Sequence, residues 1–502
     1  MTIIKKYRIL IFSALAALFL LCNTALSQDN LKDGINAVKK GDYLKALPLL
    51  KTAVESGNSY DANYYYSYAL FKTGSLSDAE KFARAAVGID DERPEAYSVM
   101  GEIFSEQKKY SDAESNFETA VKYLPLNKTK DDLTPEEIKT IVDVLSRQAE
   151  NYIAEGKADK IDKAITSLSI AKTYDNNNPI LLTGLGDAYR TRGAFEVALS
   201  NYNAAIKANS TFAEAYYGIG MIAFKQKKYN DALDNFTKAI TADPNFAEAY
   251  YEQGLILYLS DKLDQALDAF TKYSTLKPGS TLGLIFYAKT QLALGKLDDA
   301  MTLIDKVLST EPNNSEANKV KAAIYIEKKD FQNAQTYYDK VKPGDLNSED
   351  QMNIGKIYTN LKDFPKAYEH FQSAIKMDTT DDNAYFEYAK AQFSNQEYEA
   401  SIVNFNKAID LGLGQRNVGV YVYKGISYYY MKDYDNAIPQ FQKCLDSNPS
   451  GNISALCYLW IGNTYAAMGG KRQEAIDAYK KCLEFDANNQ DAKDGIQRLG
   501  GQ

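Results

Sequence analysis

The hexapeptide FAEAYY occurs at Phe212–Tyr217 and again at Phe246–Tyr251, an interval of 34 residues. A chain that repeats itself at a short fixed period is built from copies of one supersecondary unit, and no other feature of this sequence narrows the fold as far. One small residue per copy can be followed along the chain: Ala46, Ala79, Ala113, Ala164, Ala198, Ala232, Ala266, Ala300, Ala334, Ala367, Ser401, Ala437 and Ala475. The intervals are 33, 34, 51, 34, 34, 34, 34, 34, 33, 34, 36 and 38 residues. At 502 residues the chain is also too long for one ordinary core, so an array is the economical solution.

The chemistry around each anchor recurs. Three residues before it stands an aromatic or aliphatic side chain in twelve of thirteen copies, such as Tyr110, Phe195 and Tyr229; Arg472 is the exception. Four residues after it every copy is apolar (Phe117, Tyr202, Phe236, Phe371, Phe441), and three further on Ala120, Ala205, Ala239 or Ala374 follows. That spacing puts the apolar groups on one helical face. Twelve residues before the anchor, inside a separate apolar-periodic stretch, eleven copies carry a small residue, among them Gly101, Gly186, Gly220, Gly355 and Gly425. Two helix backbones are expected to meet there. Pro125, Pro244, Pro278, Pro312 and Pro449 close their copies, because proline cannot continue a helix. Each copy therefore reads as helix, tight turn, helix.

The stretch AEAYYGIGMIAFKQKKYNDALDNFTKAITADPN, Ala213–Asn245, closely resembles the tetratricopeptide repeat, with its ordered large residue, Leu-Gly-like pair, Tyr, Ala, Phe, Ala and Pro. The resemblance covers nearly all of the chain after residue 27. It implies an all-α fold, a right-handed superhelical solenoid of about thirteen helix-turn-helix repeats in which stacked neighbours bury what one pair cannot. Three repeats are expected over 28–125 and ten over 135–488. The polar stretch 126–134 is expected to link them, and Thr134 and Pro135 read as the N-cap and first residue of the next helix. This linker reads equally as a hinge or as a surface loop. The tail 489–502, with Ala492, Ile496 and Leu499 at helical intervals, reads as a capping helix.

Residues 1–27 are read as a cleaved export signal: Lys5, Lys6 and Arg8, an apolar run from Ile9 to Leu21, then Ala25-Leu26-Ser27 before a mature end near Gln28. Thirteen apolar residues fall short of a membrane span, and Leu21 is poorly suited to precede a lipidated Cys22. Removing the three basic and no acidic residues of this segment takes the formal charge from −8 to −11. An acidic chain without a Lys/Arg cluster is a poor ligand for nucleic acid. The mature chain shows no second apolar run of spanning length.

Catalytic chemistry finds no support. The single histidine, His370, lies one residue before the core Phe371 and is expected to be solvated, with no nucleophile motif beside it. The glycines are spread one per repeat rather than forming a phosphate loop, and no residue cluster has metal-ligand spacing. No cofactor is expected. Cys444, Cys457 and Cys482 all fall in the last two repeats. They read as small buried hydrophobes or, in an oxidising compartment, as a disulfide joining Cys457 to one of the other two.

The resemblance implies that the first helix of each repeat lines a concave surface that binds a peptide or helix. Projecting the positions fifteen, eleven and eight before the anchor gives Tyr217, Met221, Phe224 and Tyr251, Leu255, Tyr258, an apolar and aromatic patch. Further along, the middle position reads Lys289, Ala323, Lys356 and Lys390, a basic stripe suited to carboxylates. The lysine–asparagine clamp with which some relatives hold a terminal carboxylate is absent: Ser98 and Glu102, or Lys319 and Ala323, stand in those places. The expected function is an exported scaffold for protein or peptide partners in the periplasm or cell envelope, resembling exported repeat proteins of Bacteroidota. The alternative is an envelope glycan-binding module that uses the same aromatic surface.

Overall fold

Register, not helix length, organises this molecule. In a computed structural model that describes residues 28–500, every anchor from Ala46 to Ala475, Ser401 included, is fully buried. The second helix of the repeat begins three residues before the anchor in twelve of thirteen repeats, as in Tyr229–Ala242 and Phe364–Met377. The residue at that place, aromatic or aliphatic in all of these but the last, where it is Arg472, is thus the first residue of the helix. The fourth repeat departs from this, its second helix running Ala158–Tyr174. The proposed export signal lies outside the described residues.

The turn between the paired helices is equally regular. Five residues before the anchor the backbone is left-handed in twelve repeats: at Gly41, Gly74, Gly193, Gly295 and Gly470, but also at Lys108, Lys227, Asp261, Lys329, Lys362, Gln396 and Lys432, with φ between +57° and +62° in those seven. One left-handed residue reverses the chain within the shortest link two antiparallel helices allow, which keeps the repeat at its fixed length.

The recurrent glycine twelve before the anchor has a different task from the one its smallness suggests. A Cβ added at Gly220 would lie 2.6 Å from the Phe236 ring, and at Gly101, Gly186, Gly355 and Gly425 between 2.5 and 2.8 Å from Phe117, Tyr202, Phe371 and Phe441. The glycine is a seat for the ring on the second helix rather than a point of backbone contact. Tyr202 is held from both sides, since a Cβ at Gly218 of the next repeat would stand 2.4 Å from it. The same device closes the array. Tyr479 fits between Gly462 of its own repeat and Gly495 of the terminal helix Gln490–Arg498, where Ala492 is fully buried and Ile496 and Leu499 pack on the last core cluster.

By packing, the chain forms two compact units that meet in sequence at Ile256 and Leu257. In the first, the longer spacing after Ala113 is filled by structure. Residues 130–132 form a short helical turn, Thr134 and Glu137 make a reciprocal cap, and the 21-residue helix Pro135–Glu155 follows. Leu124, Leu133 and Ile141 belong to one apolar cluster, so the core runs through the 126–134 segment. In the second unit first helices again pack on their own second helices, and each second helix packs on the first helix of the next repeat or on the terminal helix. Cys444, Cys457 and Cys482 are buried free thiols. Cys444 and Cys457 share one cluster, while Cys482 sits in the next. Burial pushes the Cys482 thiol up to about 11, which leaves it a poor nucleophile. Among the described residues no helix is long and apolar enough to cross a membrane.

Candidate functional site: the face of the first helices

Five of the six projected apolar residues belong to the first unit, and Tyr258 to the second. Tyr217, on the helix Ala213–Lys225, packs its ring 5.7 Å from Phe236 and 5.3 Å from Phe246, and burial pushes its hydroxyl pKa well above the usual value. Met221 and Phe224 lean on the same cluster, and Phe224 meets Tyr229 edge-on at 5.9 Å. Tyr251 and Leu255 are half-buried on Ala247–Leu259, and Tyr258 is half-buried and edge-on to Phe286 at 6.3 Å. None of the six stands fully exposed. Tyr217 and Phe224 pack on the core, and of the six only Tyr258 lines a cavity.

In the second unit a cavity of about 270 Å³ is lined from four successive first helices. Tyr258 comes from the first, Lys289 and Leu292 from Thr281–Ala293, Lys319 and Ala323 from Ser315–Glu327, and Asp350 and Asn353 from Ser348–Asn360. Of the projected middle positions, Lys289 and Ala323 line this cavity, and Lys356 and Lys390 do not. The lysines, however, are not a bare basic stripe. Lys289 pairs with Glu316, and Lys390 lies 3.0 Å from Glu387 one turn earlier on its helix. Lys319, fifteen before its anchor, lies 2.6 Å from Asp350. Of the three projected lysines, Lys356 has no ion pair among the described residues. An acidic protein spreads its carboxylates widely enough that most lysines on an inner helical face find one within reach.

His370 also departs from expectation. It is half-buried, stacks on Tyr358 with ring centroids 5.5 Å apart, and its Nδ1 lies 2.7 Å from Oε1 of Gln351. Three residues past the anchor a side chain faces the first helix of its own pair, not solvent. Burial holds its pKa below the usual histidine range. Among the described residues no group of three or more His, Cys, Asp or Glu is placed to hold a metal ion.

A second cavity of about 270 Å³, which sequence reasoning missed, lies in the first unit. It is lined by Tyr64 and Tyr68 of Tyr60–Lys72, Ser98 of Pro94–Glu106, and Asp143 and Arg147 of the long helix Pro135–Glu155. Tyr64 and Tyr68 occupy the positions fifteen and eleven before Ala79, so extending the projection to the second repeat would have found them. Arg147 could not be found that way, because the longer helix that carries it is out of register with the other first helices.

Sequence models of the tetratricopeptide repeat match residues 31–95, 186–227, 213–246 and 257–324, and a further model matches 351–381, 418–450 and 455–489. The chain is similar to heat shock protein STI1 of Saccharomyces cerevisiae, 30% identical over 115 residues, which are 23% of this chain and 19% of that protein. It is also similar to anaphase-promoting complex subunit 3 of Schizosaccharomyces pombe, 27% identical over 134 residues, 26% of this chain and 18% of the relative. The chain thus spans about a fifth of the length of these curated relatives. Among solved structures it is similar to the Cut9–Hcn1 hetero-tetramer of the APC/C, with 14% identity, 93% of this chain and 95% of that one covered, and a TM-score of 0.48. A tetratricopeptide repeat protein of Parabacteroides merdae is 18% identical, with 50% of this chain and 99% of that one covered and a TM-score of 0.36.

Proposed function

Because the chain belongs to the tetratricopeptide repeat family, we propose that it is an exported scaffold which binds peptide or protein partners along the face made by the first helices of its repeats. The observation that carries this reading is the second-unit cavity, to which four consecutive first helices contribute side chains. An extended segment laid across such helices meets a new set of side chains at each repeat, so affinity accumulates from many modest contacts. Half-buried rings such as Tyr251 and Tyr258 offer rigid contact area, and Lys356 offers a charge with no ion pair of its own among the described residues. Binding, not catalysis, is the task. The leader at residues 1–27 supports a place in the periplasm or cell envelope of a bacterium.

The test is site-specific photocrosslinking in the native host. A photoreactive residue at Ala323, on the cavity floor, should give discrete protein adducts. The same residue at Val403, 66% exposed on a second helix, should give none. Adducts from Val403 alone would move the site to the outer face. Export is checked by N-terminal sequencing of the envelope fraction, which should begin near Gln28; an intact Met1 in the cytoplasm would sink it. Truncating Tyr251 to Ala should weaken a recovered partner by about 1–2 kcal/mol or more, as loss of a buried aromatic anchor does.

A further inference from the structure

The first-unit cavity holds a pattern that is complete twice and incomplete once. Tyr60, Tyr64 and Tyr68 stand at successive turns of one helix with nearly parallel rings, 6.1 Å and 6.4 Å between neighbouring centroids at 21° and 25°. Over Tyr60 lies the Arg93 guanidinium, 3.8 Å from the centroid, tied to Asp61 at 2.8 Å and Glu95 at 3.2 Å. Over Tyr68 lies Arg147 at 5.0 Å, whose Nη1 donates to Glu102 at 2.7 Å. Each outer ring therefore carries a cation, and each cation has its carboxylate.

The middle ring has the other components without the cation. No cation lies over Tyr64 among the described residues. Asp143, half-buried in the same cavity, has neither an ion pair nor a hydrogen bond among them, and burial holds its carboxyl above the usual range. Ser98 also lines the cavity. It is 1% exposed, and its Oγ has no hydrogen-bond partner. Burying such a hydroxyl unbonded is unfavourable, and a ligand that bonds to it would recover that cost.

We propose that this cavity receives a cationic side chain, an arginine carried by a bound protein segment, whose guanidinium lies on Tyr64 with Asp143 as counter-ion and Ser98 Oγ as acceptor. This rests on the scaffold reading above and names the residue the scaffold selects. A planar guanidinium suits the site better than an ammonium, because it can cover a ring face and still direct N–H groups in its plane to a carboxylate and a hydroxyl. An anion would have to settle among Glu95, Glu136 and Asp143 and against ring faces that are electron-rich. The two resident arginines are already neutralised, and Lys39 and Lys139 at the rim are exposed, where salt screens them. A volume of about 270 Å³ admits one long side chain.

The experiment screens a random decapeptide bead library with the protein from Gln28 onward, then remakes the selected peptides with citrulline, the neutral isostere, in place of each arginine. Arginine should recur at one position, and its citrulline peptide should bind about tenfold more weakly, as should the Asp143→Asn and Tyr64→Leu proteins with the parent peptide. Val403→Ala, on an exposed second-helix position in the other unit, should leave that loss unchanged. The citrulline exchange leaves the protein untouched, so its result stands even if a variant folds poorly. Selected peptides without a recurrent arginine, or equal binding of the citrulline forms, would overturn this inference while the scaffold reading survived. Acidic peptides whose binding is lost in Arg147→Met would replace it with an anion site. If no peptide is selected above background, the scaffold reading falls and this inference with it.

Discussion

Phe236 and Gly220 show how one pair of positions sets the distance between two helices: the ring occupies the volume where any side chain on residue 220 would begin. Gly220→Ala must push a fully buried ring aside, and Ala232→Leu must place three more carbons at a position with no exposed surface. Each should cost about 1–3 kcal/mol by overpacking, read as a lower denaturation midpoint. A variant that melts like the parent would show that the core can yield there. The sequence displays this pairing as a period but cannot say what the glycine faces, because smallness fits a backbone contact and a ring seat equally well. The place of His370 is hidden from the pattern for a similar reason, since one residue of offset from Phe371 is about 100° around a helix and not the opposite side. As the only histidine it can be titrated by proton NMR without assignment. Burial lowers its pKa, Glu369 and Asp339 raise it, and Lys366 lowers it. The midpoint should fall below the free value of 6.5. In the window between the two values the unfolded chain binds a proton that the folded one does not, so the stabilising contribution is present above 6.5 and is lost as pH falls toward the folded value. A midpoint above 6.5 would mean the imidazolium is favoured in the fold.

Among elements, the tight turn is the part most plainly out of reach of pattern reading. Period and helix starts were legible from apolar spacing, as at Tyr229 and Phe364, but nothing in a lysine announces a left-handed backbone. Seven repeats nevertheless place a residue other than glycine there. Lys227→Gly should raise stability by about 0.5–1 kcal/mol, a left-handed penalty of about 1–2 kcal/mol less the extra chain entropy of glycine, about 0.5–1 kcal/mol. Thermal melting checks it, and no gain would mean the lysine makes a compensating contact. The inserted helix Pro135–Glu155 is the other illegible element. Its cap, Thr134 with Pro135, stood out in the sequence, yet its longer span breaks the register by which Arg147 and Asp143 could have been placed in the groove. The lysine stripe was legible as positions and not as charges, since the partners Glu316 and Glu387 lie outside the projected stripe.

For the whole molecule, far-ultraviolet circular dichroism should show helix without a β component, and unfolding should not be a single event. The chain's one tryptophan, Trp460, lies in the second unit, 5.2 Å from Tyr429, so its fluorescence reports that unit while ellipticity reports every repeat. In urea the two signals should give separate midpoints, because repeat stability is a sum of local terms. Coincident curves would mean the array unfolds as one cooperative block. Within each unit, helices pack chiefly on their own partner and on the adjoining repeats, closed at the C-terminal end by Gly495 against Tyr479. The chain separation between touching residues therefore stays near one or two repeat lengths however many copies are stacked. Contact order, and with it the search a folding chain must make, is set by a period of 34 residues and not by a length of 502. Adding or removing an internal copy should change how much there is to fold while leaving the speed of each step almost untouched.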